Sequence, residues 1–174
     1  MQQTVNSSTS VVWAAGLGAA SVVASLTRQN NTTPYLAGDV ICAMAGAPLA
    51  PVPLEFTVGR VNGGSGTLIR AIATSPTVDA GLDTILLYLF SSAPTMADDN
   101  APFNTALTDL VGLVALPLQP AIAGGTIWMS AVGPLFAFTC AAATQKLWGV
   151  AVAGDGWTPT AQQVLRFALH VDRQ

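Results

Sequence analysis

The chain has 174 residues, 51% of them hydrophobic and only 9% charged, which suits one domain with its own core but falls far below the roughly 25% charge of an average globular protein. A surface so thinly charged points to burial in an oligomer or a larger particle rather than to a free monomer. The net charge is −3 and the six basic residues are scattered singly, with Lys146 the only lysine; this excludes the clustered cations that nucleic-acid binding requires.

Residues 1–10 (MQQTVNSSTS) carry no charge and no apolar period, and residues 11–26 (VVWAAGLGAASVVASL) form the longest apolar stretch. That stretch is shorter than the ~20 strongly apolar residues of a membrane span. No basic side chain precedes it, as one would in a signal peptide. No membrane is therefore expected as a partner. The pattern predicts an extended N-terminal arm over residues 1–30, ahead of a β-sandwich domain over residues 31–174. Trp13 is the large side chain able to anchor the arm in a neighbouring groove, with Val11, Val12 and Leu17 beside it.

Further along, PLEFTVGR (53–60) alternates Leu54, Phe56 and Val58 with polar or small residues, the period of a half-buried strand. NGGSG (62–66) suits a hairpin turn, and GTLIRAIAT (66–74) is a further strand. TILLYLF (84–90) is a continuous apolar run, which predicts a central strand covered on both faces. NTALTDL (104–110) reads as a short helix with Asn104 as its N-cap. GTIWMSAV (125–132) and LFAFTCAAA (135–143), separated by Gly133-Pro134, read as a strand pair. KLWGVAVAG (146–154) and VLRFALHVD (164–172) follow, the last with Leu165, Phe167, Leu169 and Val171 on one face. About eight strands without βα alternation predict an all-β fold, a jelly-roll-like β-sandwich with an extended N-terminal arm.

No catalytic residue is expected. His170 is the one histidine, and no G-x-S-x-G or metal-ligand spacing occurs. Cys42 and Cys140 lie far apart among apolar residues and read as small hydrophobes. ADDN (97–100) offers three oxygen donors without the spacing of a calcium loop. Its expected role is structural and metal-free, with Asp99 and Asn100 holding the turn through bonds to nearby backbone. Neither a metal nor any other cofactor is expected.

At this loop the sequence resembles a segment of small accessory head proteins of tailed bacteriophages. An apolar strand ending in Leu89-Phe90 leads to Ser92, Pro94 and Thr95, an Asp99-Asn100 loop with Phe103, an acidic turn at Asp109, and Gly112. YLAGDVI (35–41), GTLIRAI, KLWGVAVAGDGWTPT (146–160) and a closing strand ending in Val171-Asp172 follow the same order, so the likeness spans residues 35–172. The Ala/Gly-rich N-terminus departs from it. The resemblance implies a capsid decoration or cement protein on the outer surface of a virion head, made in the host cytoplasm. Its partners would be itself, as a homotrimer or homodimer, and the major capsid protein. Pro94, Asp99, Asn100 and Phe103 would form a structural loop. Two other readings are a glycan- or receptor-binding sandwich, using Trp13, Tyr35, Trp128, Trp148 and Trp157 as platforms, and a membrane-associated protein using residues 11–26.

Overall fold

The computed structural model describes residues 18–45, 50–77, 81–120 and 125–174. These are all β, with twelve strands: β1 (Gly18–Thr27), β2 (Val40–Ile41), β3 (Ala43–Ala45), β4 (Ala50–Val52), β5 (Leu54–Thr57), β6 (Ser65–Ser75), β7 (Thr84–Phe90), β8 (Leu110–Pro117), β9 (Thr126–Met129), β10 (Phe136–Thr139), β11 (Lys146–Ala153) and β12 (Val164–Arg173). One five-stranded sheet runs β1-β12-β6-β10, with β9 also on β6. The other runs β2-β11-β7-β8, with β5 also on β11. β3 and β4 form a small separate ladder inserted between β2 and β5.

The side-chain period of two assembles the core. Leu165, Phe167, Leu169 and Val171 of β12, Leu54 and Phe56 of β5, and Ile85, Leu87 and Leu89 of β7 all point inward into one apolar cluster with Trp128. Burying each such large side chain stabilises by roughly 1.5–3 kcal/mol against leaving it in water. Trp128 is fully buried because its indole N–H has a partner, donating to the Leu82 carbonyl at 2.7 Å.

The continuous apolar run of β7 has a second cause. Its other face, Leu86, Tyr88 and Phe90, packs into a second apolar cluster with Val40, Val150 and Val152. The loop after β7 supplies the lid of this cluster through Met96, Ala97 and Phe103. Phe103 stacks on Tyr88, with ring centroids 4.3 Å apart. Thus β7 is covered on both faces, as its sequence predicts.

Strand pairing is nested. β1 pairs with β12, β2 and β5 with β11, β6 with β9 and β10, and β7 with β8, all antiparallel. The long folded ribbon then rolls up, so that β12 also pairs with β6 and β11 with β7.

Several sequence expectations change here. NGGSG joins β5 of one sheet to β6 of the other, so it is a crossing turn and not a hairpin; the Gly64 N–H closes it on the Val61 carbonyl at 3.0 Å. β9 and β10 do not pair with each other. They line up on the same side of β6, against Ile72–Ser75 and Ser65–Leu68 respectively. NTALTDL forms no helix: it runs without regular structure to a turn closed by the Leu110 N–H on the Leu107 carbonyl. Seven residues cannot offset helix nucleation alone, and Thr105 within the stretch is buried. Of the expected arm, residues 18–27 are an edge strand of the sandwich, ten residues in unbroken register with β12. Gly18 to Thr27 find hydrogen-bond partners there that a free arm would lack.

Candidate functional site

Arg28 leaves the end of β1 and turns into the protein. Its side chain and that of Asp99 are 0% and 1% exposed, with the guanidinium Nη2 3.2 Å from Asp99 Oδ2. Tyr35 stands between them: Arg28 Nε donates to the phenol oxygen, and the Tyr35 hydroxyl donates to Asp99 Oδ1 at 2.6 Å. Arg28 also lies over the Tyr35 ring at 4.6 Å and the Trp157 ring at 5.6 Å, where the guanidinium gains a cation–π contact. Burial, then the adjacent Asp99 carboxylate, raises the Tyr35 pKa far above the ordinary phenol value.

The backbone explains why Asp99 sits there. Residues 100–103 run along the free side of β2: the Val40 N–H donates to the Ala101 carbonyl at 2.8 Å, the Asn100 N–H to the Val40 carbonyl at 2.9 Å, and the Phe103 N–H to the Gly38 carbonyl at 2.9 Å. The next donor of the strand, the Cys42 N–H, is met by Asp99 Oδ1 at 3.0 Å. Asp99 thus completes a ladder and neutralises Arg28 at once. Cys42 is a free, buried thiol, pushed up to about 12 by burial and then by the carboxylates of Asp99 and Asp98.

Asp99 therefore bonds to backbone, but to a strand 57 residues away and not to its own turn. The turn itself is closed by the Ala101 N–H on the Asp98 carbonyl at 3.1 Å. Asn100 contributes through conformation, adopting φ +62°, which Asn tolerates better than most residues. Its side-chain oxygen is buried without a partner. Pro94 begins the loop and Phe103 pins it, as the stack on Tyr88 describes. Asp98 points outward and is exposed. Among the described residues, no three His, Cys, Asp or Glu side chains come together as a metal site. Sequence reasoning missed Arg28 and Tyr35 as partners of this loop. The available signal was a single arginine closing a long uncharged stretch.

The expected interface residues Val11, Val12, Trp13 and Leu17 lie outside the described residues. The aromatic platforms of a glycan-binding reading are mostly interior: Tyr35, Trp128 and Trp157 are buried, while Trp148 is half-buried against the second cluster. Trp13 lies outside the described residues.

Two surfaces remain. The loop after β7 forms one outer side, with Leu107 exposed and Ser92 donating to the Asp109 carboxylate. The outer face of the β1-β12-β6 sheet forms the other. Its cross-strand rows place Ser21 beside His170 beside Arg70, and Ser25 beside Arg166 beside Thr74, with Val23 55% exposed at the edge. Depressions on this face are lined by Ile69, His170 and Asp172, and by Thr74, Val164 and Arg166. No helix among the described residues is long and apolar enough to cross a membrane.

Comparison with known protein families, with curated proteins and with solved structures gave no match.

Proposed function

We propose that this chain is a structural protein of a virion: a jelly-roll decoration or cement protein that packs as an oligomer on the major capsid shell, on the outer surface of a tailed-phage head. The observation that carries the reading is the construction of the loop after β7. The residues that bear the resemblance are built as a cap: Phe103 stacks on Tyr88 and Asp99 locks to Arg28. The nested pairing of β1 with β12, β2 and β5 with β11, β6 with β9 and β10, and β7 with β8 supports a jelly roll, an architecture shared by capsid proteins.

Such a protein works by burying area. At about 25 cal/mol per Å² of apolar surface, a standard interface of roughly 1,600 Å² supplies a large gross term before association costs. Scattered exposed side chains such as Leu36, Val61, Leu107 and Val132 offer apolar area. With 9% of residues charged, few ions need desolvation at a contact. Many copies on one shell then add by multivalency.

The test is co-sedimentation of the purified chain with tailed-phage heads stripped of accessory proteins. Saturable binding at a copy number set by the lattice symmetry is expected, with raised resistance of the heads to heat or osmotic shock. Binding that never saturates, or no binding to heads of the phage that encodes the chain, refutes the reading.

A further inference from the structure

The outer strands of the sandwich are unequally protected. β9 and β10 edge one sheet as two pieces, broken at Gly133, with φ +136°, and Pro134. β8 ends on Pro117, and its continuation is tied across the sandwich, Leu118 bridging to Trp128 and the Gln119 N–H donating to the Ile127 carbonyl at 2.8 Å. β2 is covered by residues 100–103, and β5 follows the β3–β4 insertion with Pro51 and Pro53 alongside. β1 is different. Its sequence GAASVVASLT has ten residues with no proline and no charge, and its register against β12 has no bulge. Edge strands ordinarily carry at least one such device, because a bare edge templates pairing with another chain.

The inner side of β1 is also only partly covered. Ala20, Val22 and Ala24 point toward the core but are only half-buried. Their register partners Val171, Leu169 and Phe167 on β12 are 2%, 0% and 0% exposed. On the opposite side of the sandwich the Leu118–Trp128 bridge closes the seam. Among the described residues β5 lies alongside β1, but no such bridge joins the two.

We infer that the outer edge of β1, which no described residue pairs, pairs antiparallel with β1 of a second copy, about a twofold axis, making one continuous sheet across two molecules. A backbone edge is self-complementary under a twofold, each strand offering donors where the other offers acceptors. Neutral small side chains meet their counterparts without repulsion, and the two rows of Ala20, Val22 and Ala24 seal each other. The antiparallel sense follows from a twofold set perpendicular to the strands, which brings the Gly18 end of one β1 against the Thr27 end of the other. A ten-residue strand spans about 33 Å. Sheets about 10 Å apart, roughly doubled in depth by their outward side chains, give several hundred Å² per partner, near the roughly 1,000 Å² total that a specific interface needs.

The experiment uses the full chain and no particle. Light scattering at tens of micromolar should give twice the monomer mass. Single substitutions Ser21→Cys, Val23→Cys and Ser25→Cys should cross-link under oxidation at the one position nearest the axis. The triple variant Ser21→Lys, Val23→Lys, Ser25→Lys should be monomeric with an unchanged circular dichroism spectrum. Adding the same charges at Thr95, Ala106 and Thr108 should leave the dimer intact. A monomeric or trimeric wild-type chain, a dimer indifferent to the triple lysine variant, or equal cross-linking at all three positions overturns the proposal. So does a rise in mass on deleting residues 1–17, which would mean that the chain's own segment occupies the edge. If the lysine variant fails to fold, the cysteine pattern alone decides.

Discussion

Arg28 and Asp99 form the most consequential pair of residues, because each neutralises the other in a site closed to solvent. Asp99→Asn keeps the shape and leaves Arg28 buried and uncompensated, at a cost of roughly 3–5 kcal/mol. For a chain of this size that lowers Tm by on the order of 10 °C, readable by calorimetry. The double variant Arg28→Met, Asp99→Asn should recover much of the loss, since no charge then stays buried and the amide oxygen still accepts from the Cys42 N–H and the Tyr35 hydroxyl. Gln162 is held at φ +54°, where a side chain other than Asn or Asp is strained. Gln162→Gly should therefore stabilise by up to about 1 kcal/mol, shifting the urea midpoint upward. Cys42 sets a pH dependence with a definite sign. Its thiol value rises from 9.0 to about 12 on folding, so the unfolded chain loses that proton first. The contribution is complete below pH 9 and is lost as pH rises toward 12, and Tyr35, also raised by burial, adds to the loss. Urea midpoints should fall between pH 9 and 10.5, and the fall should be shallower in Cys42→Ala.

Among the elements, the loop after β7 depends on one contact. Phe103→Ala removes the stack on Tyr88 and one of the three side chains that lid the second cluster, and should cost about 1–3 kcal/mol. Proteolysis should then cut within residues 91–109 well below the global melting temperature. Which elements were legible in the sequence follows from what periodicity encodes. β5, β7, β11 and β12 alternate or run apolar strongly enough to be read directly, since one face or both is buried. Periodicity says nothing about which strand lies beside which. The crossing turn at residues 62–66 and the shared side of β6 taken by β9 and β10 were therefore hidden, although the Gly133-Pro134 break between those two strands was visible. The structural loop was readable as a loop, but not its partner, because Arg28 is 71 residues from Asp99. Gly112 is similar: its need for glycine comes from the Phe136 ring, which lies 2.6 Å from where a Cβ would stand. Gly112→Ala should displace Phe136 and lower stability, measurably in the same melts.

For the whole molecule, the membership of residues 18–27 in the sandwich separates two truncations. Removing residues 1–17 leaves every described strand in place, whereas removing residues 1–27 strips β1 from β12 and takes Leu26 out of the core. The longer deletion should melt far lower, with loss of near-ultraviolet circular dichroism on mild heating. The same pairing has a consequence for biosynthesis. The partner of β1 is β12, far downstream in the chain, so at about 5–20 residues per second the ribosome needs roughly 7–30 s to supply it. Throughout that interval GAASVVASLT is a bare, uncharged strand on a nascent chain, and neighbouring ribosomes on one message present identical strands close by. Late closure of this kind makes the yield of native protein a race between supplying β12 and pairing with the wrong neighbour. Slowing initiation, and so spacing the ribosomes apart, should raise the soluble fraction more than lowering the total amount made.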